Sequence, residues 1–235
     1  MLAWCQVSTL VIPDIHQRMD QFDLLTDRMR RADRIVQLGD WFDHFGHRDE
    51  ALDRRTCQAI RQFPGEKLLG NHDGHYFFDN AAFMCSGFDG RRRAIVDAMI
   101  PRLTITSFAI STQVGPYLVS HAGFTEATLT AYRNGPSQWD IIEAALDGGF
   151  DPIFGAGRAR GGYLPAGGPV WLDWNEEFQH IDDLPQIVGH TMDSRNFAVR
   201  TKGGDTGLKS YCCDTGLRHV LWIDEVTGAV TVEEL

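Results

Sequence analysis

Three short apolar runs stand out in the first third of the chain. They cover residues 7–12, 34–38 and 67–69 and are rich in Val, Ile and Leu. Such runs are typical of strands buried on both faces of a parallel sheet. Between them, residues 17–31 and 50–63 place apolar side chains at helical spacing. This alternation predicts a parallel sheet with right-handed crossovers, whose ligands bind beyond the carboxyl ends of the strands.

The remainder of the chain predicts more strands than helices. Residues 91–99 and 137–146 have helical patterns, and residues 103–121 are typical of a hairpin with its turn at Gly115 and Pro116. A glycine-rich stretch follows residues 137–146 and predicts a long loop, of the kind that is usually functional or disordered. We expect α/β structure at the front and two sheets packed face to face, with short strands at 186–188, 197–201, 208–213, 220–223 and 229–232.

Composition limits the classes of protein that remain. The 235 residues, 43% of them hydrophobic, suit one domain over residues 1–235 with a full core. With no apolar run of 18 residues and no signal-peptide pattern, we expect a cytoplasmic protein and no membrane partner. Five cysteines without CxxC spacing argue against a disulfide framework. The net charge of −10 disfavours long nucleic acid as a partner, whereas an acidic cleft would attract cations.

Polar motifs follow five of the apolar runs. They read PDIH, GDWFD, GNHD, SHAG and VGHT. Each motif alone is more often a turn or a hydrogen-bonded histidine than a metal site. If the strands share one sheet, however, their polar residues converge on one edge, and carboxylate, amide and imidazole donors without thiolate suit borderline or hard divalent ions. Two metals that share one carboxylate would use all six candidates, which are Asp14, His16, Asp40, Asn71, His121 and His190.

These motifs, in this order, resemble the signatures of calcineurin-like metallophosphoesterases. They are most similar to the branch with bacterial and phage serine/threonine protein phosphatases and symmetrical diadenosine tetraphosphate hydrolases. The resemblance implies a four-layer αββα sandwich, in which two mixed sheets are flanked by helices. It also implies a first metal on Asp14, His16 and Asp40, and a second metal on Asp40, Asn71, His121 and His190. Asp40 would bridge the two.

The same resemblance implies a mechanism. His72 would be the proton donor to the leaving oxygen, and Asp43 would orient it. Water activated by two divalent ions would attack phosphorus directly, without a covalent intermediate. We expect manganese, although iron, zinc and nickel suit the same ligands.

The substrate is left open by these motifs. We expect a phosphomonoester, carried by a small molecule, a nucleotide or a phosphoprotein. A dinucleoside polyphosphate or phosphodiester is the alternative. A non-catalytic metal-binding interaction protein on the same fold is a further alternative, but it would be expected to have lost a ligand or His72, and none is lost.

The chain departs from the family pattern where relatives carry arginines that grip phosphate. His44 and Leu69 occupy those two positions. Other groups must therefore contact the substrate, and the sequence offers His44, His47, Arg48 and His75, together with Arg158 and Arg160 in the glycine-rich stretch. Asp173 is a candidate for orienting a ligand histidine, and Asp214 is interpreted as structural.

Overall fold

Two mixed β-sheets packed face to face form the centre of the fold in a computed structural model, which describes residues 7–44, 49–203 and 207–235. The first sheet has the strand order β11-β10-β1-β2-β3-β4, and the second has the order β5-β6-β7-β9-β8. The strands are β1 Ser8–Ile12, β2 Arg34–Gln37, β3 Glu66–Leu68, β4 Phe108–Ala109, β5 Ser111–Val114, β6 Tyr117–Ser120, β7 Gln186–Val188, β8 Arg200–Lys202, β9 Ser210–Cys212, β10 His219–Asp224 and β11 Val230–Glu234.

Both sheets contain a parallel core with antiparallel strands at its sides. Strands β1 to β4 run parallel, whereas β10 pairs antiparallel with β1 and β11. In the second sheet β6, β7 and β9 are parallel, and β5 and β8 join them antiparallel. The helices are α1 Met19–Asp23, α2 Thr26–Arg31, α3 Glu50–Gln62, α4 Asn71–Phe77, α5 Gly90–Met99, α6 Arg102–Ile105, α7 Glu126–Asn134 and α8 Gln138–Leu146.

Side-chain alternation along the strands explains the layers. On β1, Val11 faces the second sheet and packs in one cluster with Val119 of β6, while Leu10 and Ile12 join the cluster that holds the helices. Because successive side chains of a strand point to opposite faces, β1 is buried on both sides. The predicted α/β sandwich of two mixed sheets and flanking helices is confirmed.

Two predicted elements are wrong in detail. Residues 17–31 form two helices, which separate where the Thr26 hydroxyl donates to the Asp23 carbonyl (2.8 Å). Gln17, with φ of +56°, precedes the first helix. Residues 103–105 belong to α6, and Leu103 is exposed. The chain then crosses from the first sheet at Ala109 to the second at Ser111. Helices α4 and α7 were not predicted.

No helix in the described ranges is long and apolar enough to span a lipid bilayer.

Candidate active site

The carboxyl ends of strands from both sheets meet at one edge of the sandwich. β1, β2 and β3 come from the first sheet, and β6 and β7 from the second, so the five motifs are divided between the two facing sheets that were predicted. The structure nevertheless brings all six candidate ligands together. One donor group contains Asp14, His16 and Asp40; the other contains Asp40, His121 and His190, with Asn71 beside it.

Two motif glycines allow the backbone to pack against the candidate ligand carboxylates. A Cβ on Gly70 would lie 2.2 Å from Asp40 Oδ1, and one on Gly189 would lie 2.0 Å from Asp14 Oδ1. The backbone N–H groups that follow them donate to these carboxylates: His72 N lies 2.9 Å from Asp40 Oδ1, and His190 N lies 3.0 Å from Asp14 Oδ2. The close approach of these carboxylates therefore explains why the GNHD and GHT motifs begin with glycine, which has no Cβ.

Backbone strain is concentrated at the site. His16, Asp40, Asp43 and His190 have φ values of +44°, +55°, +67° and +63°. A residue with a Cβ pays roughly 1–2 kcal/mol to adopt this left-handed conformation. Such cost persists where the surrounding structure fixes the residue, which is typical of a functional site.

Hydrogen bonds orient two of the histidines toward one carboxylate oxygen. Nδ1 of His16 lies 2.9 Å from the Phe42 carbonyl oxygen, and Nδ1 of His121 lies 2.9 Å from that of Leu38. Because a carbonyl oxygen accepts hydrogen bonds, each Nδ1 carries the proton and each Nε2 keeps its lone pair. Both Nε2 atoms lie 3.5 Å from Oδ2 of Asp40.

The second donor group has similar spacing. Nε2 of His121 lies 3.1 Å from Oδ1 of Asn71 and 3.1 Å from Nδ1 of His190. Ligand atoms bonded to one cation at about 2.1 Å are separated by roughly 3.0–3.4 Å in octahedral or tetrahedral geometry. The contacts between donor atoms in both groups are therefore close to those of ligands around a divalent cation.

The charges and protonation states of the metal-free site also favour the binding of cations. Burial raises the pKa of Asp14 and Asp40, and the neighbouring carboxylates Asp214 and Asp14, respectively, raise these values further. Burial lowers the pKa of His16 and of His121 to about 3, so both rings are neutral and able to ligate. Crowded carboxylates and neutral imidazoles are the donor set that a divalent metal stabilises.

Asp43 and His72 form the predicted pair beside these groups. Nδ1 of His72 lies 2.7 Å from Oδ2 of Asp43, while the Tyr76 hydroxyl (2.7 Å) and Arg92 both donate to Oδ1. Burial alone would raise the pKa of Asp43, but hydrogen bonds from His72 and His75 hold it below its ordinary value. Asp43 is therefore an ionised, fixed acceptor that orients the His72 ring.

A cavity of about 420 Å³ opens over both donor groups. Arg160 lines it and is fixed there, because its Nη2 donates to Thr191 Oγ1 (2.8 Å) and its Nε lies 2.9 Å from Asp173 Oδ2. The partner of Asp173 is thus an arginine, whereas the sequence suggested that Asp173 orients a metal-ligating histidine. Other lining residues include Ser86, Trp171 and Asn175.

The other candidate substrate contacts are placed elsewhere or are not described. His44 and Arg158 are not among the described residues that line the cavity, and Arg158 is exposed. His75 is buried, with Nε2 2.8 Å from Asp43 Oδ2, so it contacts the orienting carboxylate where a substrate contact was expected. Arg48 and His47 lie outside the described residues.

Sequence reasoning missed two charged residues of the cavity. Arg18 lines it, and its Nη1 is buried without a hydrogen-bond partner among the described residues. Asp214, interpreted as structural, is buried in the wall near Asp14. A signal for Asp214 was present, because it follows an apolar strand directly, as the predicted ligands do. Arg18 had the weaker signal of standing two residues after His16.

The chain was compared with known proteins by fold and by sequence. Among solved structures, the cold-active protein-tyrosine phosphatase of a psychrophile, Shewanella sp., has a TM-score of 0.57 at 16% identity, covering 97% of this chain and 80% of that chain. A putative diadenosine tetraphosphatase has a TM-score of 0.48 at 14% identity, covering 99% and 96%. Likeness at such identities concerns the fold alone. No match was found among curated protein sequences.

The sequence profile of the calcineurin-like phosphoesterase family matches residues 7–194, well over half of the chain. The matched range contains all five strand-end motifs and every candidate ligand. The chain therefore belongs to the calcineurin-like phosphoesterase family, the hydrolases of phosphate esters that its strand-end motifs predict.

Proposed function

We propose that this protein is a phosphomonoesterase that uses two divalent metal ions. The observation that carries the proposal is that two donor groups share Asp40 and lie beside the His72–Asp43 pair under one cavity. Two ions that share a carboxylate are typical of sites that clamp both the attacking and the leaving oxygen of a phosphoryl group. A structural metal site would need no adjacent proton donor.

The proposed first ion would be held by Asp14, His16 and Asp40, and the second by Asp40, Asn71, His121 and His190. When bound, the ions would polarise the phosphoryl group and lower the pKa of a water molecule. Manganese is our proposed metal, because the donors are oxygen and imidazole nitrogen without sulfur.

The chain's own residues would complete the reaction. Asp43 holds Nδ1 of His72, so Nε2 is the nitrogen through which the ring can give a proton to the leaving oxygen. Neutral Asn71 adds an oxygen donor without adding negative charge near the substrate phosphate.

Arg18 and Arg160 are our candidates for the phosphate contacts that the family's missing arginines would have made. Both line the cavity, and Nη1 of Arg18 has no hydrogen-bond partner among the described residues. A phosphate oxygen would provide that partner and gain a charge-assisted hydrogen bond.

Arg18→Met is expected to lower kcat/KM for a phosphomonoester by roughly 10- to 100-fold, because a hydrogen bond to a charged group contributes about 1.5–3 kcal/mol. The change keeps most of the apolar stem. Steady-state kinetics with p-nitrophenyl phosphate would measure it, and Arg158→Met is the matched control because Arg158 is exposed outside the cavity. Equal kinetics for the two variants would remove Arg18 from the substrate site.

The class of substrate is tested by a panel of three esters. Purified protein is assayed with p-nitrophenyl phosphate, bis-p-nitrophenyl phosphate and diadenosine tetraphosphate, with and without added manganese. We expect manganese-dependent turnover that is highest for the monoester, because the charged lining of the cavity, with Arg18 and Arg160, suits one terminal phosphate.

Other results would change the assignment. Preference for the second or third ester would select the phosphodiesterase or dinucleoside polyphosphate hydrolase. Metal binding without turnover of any ester would favour the non-catalytic interaction protein.

A further inference from the structure

A third cluster of metal-ligating side chains includes the proposed proton donor. It contains His72, His75 and Cys85, whose ligand atoms all lie within 4.8 Å of one another. Both histidines are buried and Cys85 is partly buried. The cluster shares no residue with the two donor groups at the strand ends.

The distances suit a tetrahedral ion. Sγ of Cys85 lies 3.1 Å from Nδ1 of His75 and 3.8 Å from Nδ1 of His72. Around zinc, with bonds of about 2.0–2.1 Å to nitrogen and about 2.3 Å to sulfur, such edges are roughly 3.3–3.7 Å. Small side-chain shifts would bring both contacts into that range.

A carboxylate already stands where an outer partner of such a site is usually found. Nε2 of His75 lies 2.8 Å from Oδ2 of Asp43, which leaves Nδ1 of the same ring directed at Cys85. Metal-ligating histidines commonly donate a hydrogen bond from their second ring nitrogen to a carboxylate, which fixes the orientation of the ring and raises its basicity. Asp43 would do this for His75.

The donor chemistry separates this cluster from the strand-end groups. One sulfur and two imidazole nitrogens favour soft or borderline ions such as Zn²⁺ and Cd²⁺, whereas carboxylate and amide oxygens favour Mn²⁺. Zn²⁺ or Cd²⁺ is therefore expected to bind to the cluster while manganese occupies the donor groups at the strand ends.

We propose that His72, His75 and Cys85 form an inhibitory site for Zn²⁺ or Cd²⁺. On binding, the Cys85 thiol and Nδ1 of the His72 imidazolium each release a proton to solvent, both atoms become ligands, and His72 loses its contact with Asp43. The ring then keeps only its Nε2 proton, whose transfer would leave an imidazolate, so His72 no longer serves as a general acid. Inhibition rests on the proposed function, but ion binding does not.

Cadmium tests binding independently of activity. Manganese-loaded protein, with Cys5 replaced by Ser, is titrated with Cd²⁺, and the ultraviolet cadmium–thiolate band is recorded. We expect one equivalent of this band, its loss in Cys85→Ser and its retention in Cys57→Ala, since Cys57 is buried in α3 away from the cluster. A band that persists unchanged in Cys85→Ser, or that is absent from the parent protein, would overturn the site.

Zinc tests the inhibition. Each protein is assayed in excess manganese against its own zinc-free rate, and removal of one ligand is expected to raise the inhibitory Zn²⁺ concentration roughly 10-fold or more in Cys85→Ser. Replacement of manganese by zinc at the strand ends would act equally on both proteins, so equal inhibition contradicts the proposal. If the parent protein has no activity at all, the proposed function fails while the cadmium result still decides the site.

Discussion

Asp40→Asn is expected to weaken the binding of both catalytic metal ions and to abolish metal-dependent hydrolysis. Oδ2 of Asp40 lies 3.5 Å from Nε2 of both His16 and His121, so one carboxylate serves both donor groups. Loss of its charge leaves the second cation with no carboxylate ligand and the first with Asp14 alone, and removal of one partner of a buried ion pair costs about 3–5 kcal/mol. That free energy corresponds to roughly 10²- to 10⁴-fold weaker metal affinity.

The fold should survive this change. Asparagine keeps the oxygen that accepts the hydrogen bond from His72 N, and in the metal-free protein it removes a buried carboxylate whose pKa is raised by burial, Asp14 and Asp73. We therefore expect the variant's Tm in chelator to equal or exceed that of the parent, while manganese raises the Tm of the parent alone.

Metal content after dialysis, calorimetric titration with manganese and p-nitrophenyl phosphate turnover would measure these effects. Asp27→Asn is the control, because Asp27 is exposed and its contact is a surface pair with Arg30. Retention of two manganese ions per Asp40→Asn chain, with full turnover, would show that Asp40 is not the bridge.

The ligand set could be predicted because its signal is local. Each candidate ligand follows a buried strand within a few residues, and parallel strands present their carboxyl ends at one edge. Gly70 and Gly189 are part of the same local signal, since a Cβ at either position would meet the carboxylate beside it. Two sheets were predicted, but the sequence could not show which strands belong to each, because it does not record which strands pair.

The residues that surround the ligands are brought there by tertiary contacts, so the local sequence gives little indication of them. Arg92 reaches Asp43 from α5, and Cys85 reaches His75 from the segment before that helix. Neither residue stands in a recognisable motif, and an arginine on a helix is usually solvated. Arg160 is similar: it lies in a glycine-rich stretch but is fixed by Thr191 and Asp173.

The predicted helix boundaries were wrong where a side chain competes with the backbone for hydrogen bonds. The apolar spacing of Phe22, Leu25 and Met29 predicts one helix, and Phe22 and Leu25 are indeed buried. Thr26, however, donates its hydroxyl proton to Asp23 and starts a second helix. Periodicity thus identified two of the buried positions correctly without revealing the break between them.

His72→Asn is expected to reduce kcat by about 10²-fold or more, because it removes the general acid and leaves the metal ligands in place. The contact between residue 72 and Asp40 is made by the backbone N–H, which asparagine keeps. Metal content should therefore equal that of the parent protein, in contrast to Asp40→Asn.

The dependence on the leaving group separates proton donation from a structural role. A leaving oxygen of high pKa needs a proton in the transition state more than p-nitrophenolate does, so His72→Asn should lose more activity with phenyl phosphate than with p-nitrophenyl phosphate. Asp43→Asn should show the same trend more weakly, because His72 stays but loses the carboxylate that orients it. Equal losses on both esters, or unchanged turnover, would mean that His72 does not donate the proton.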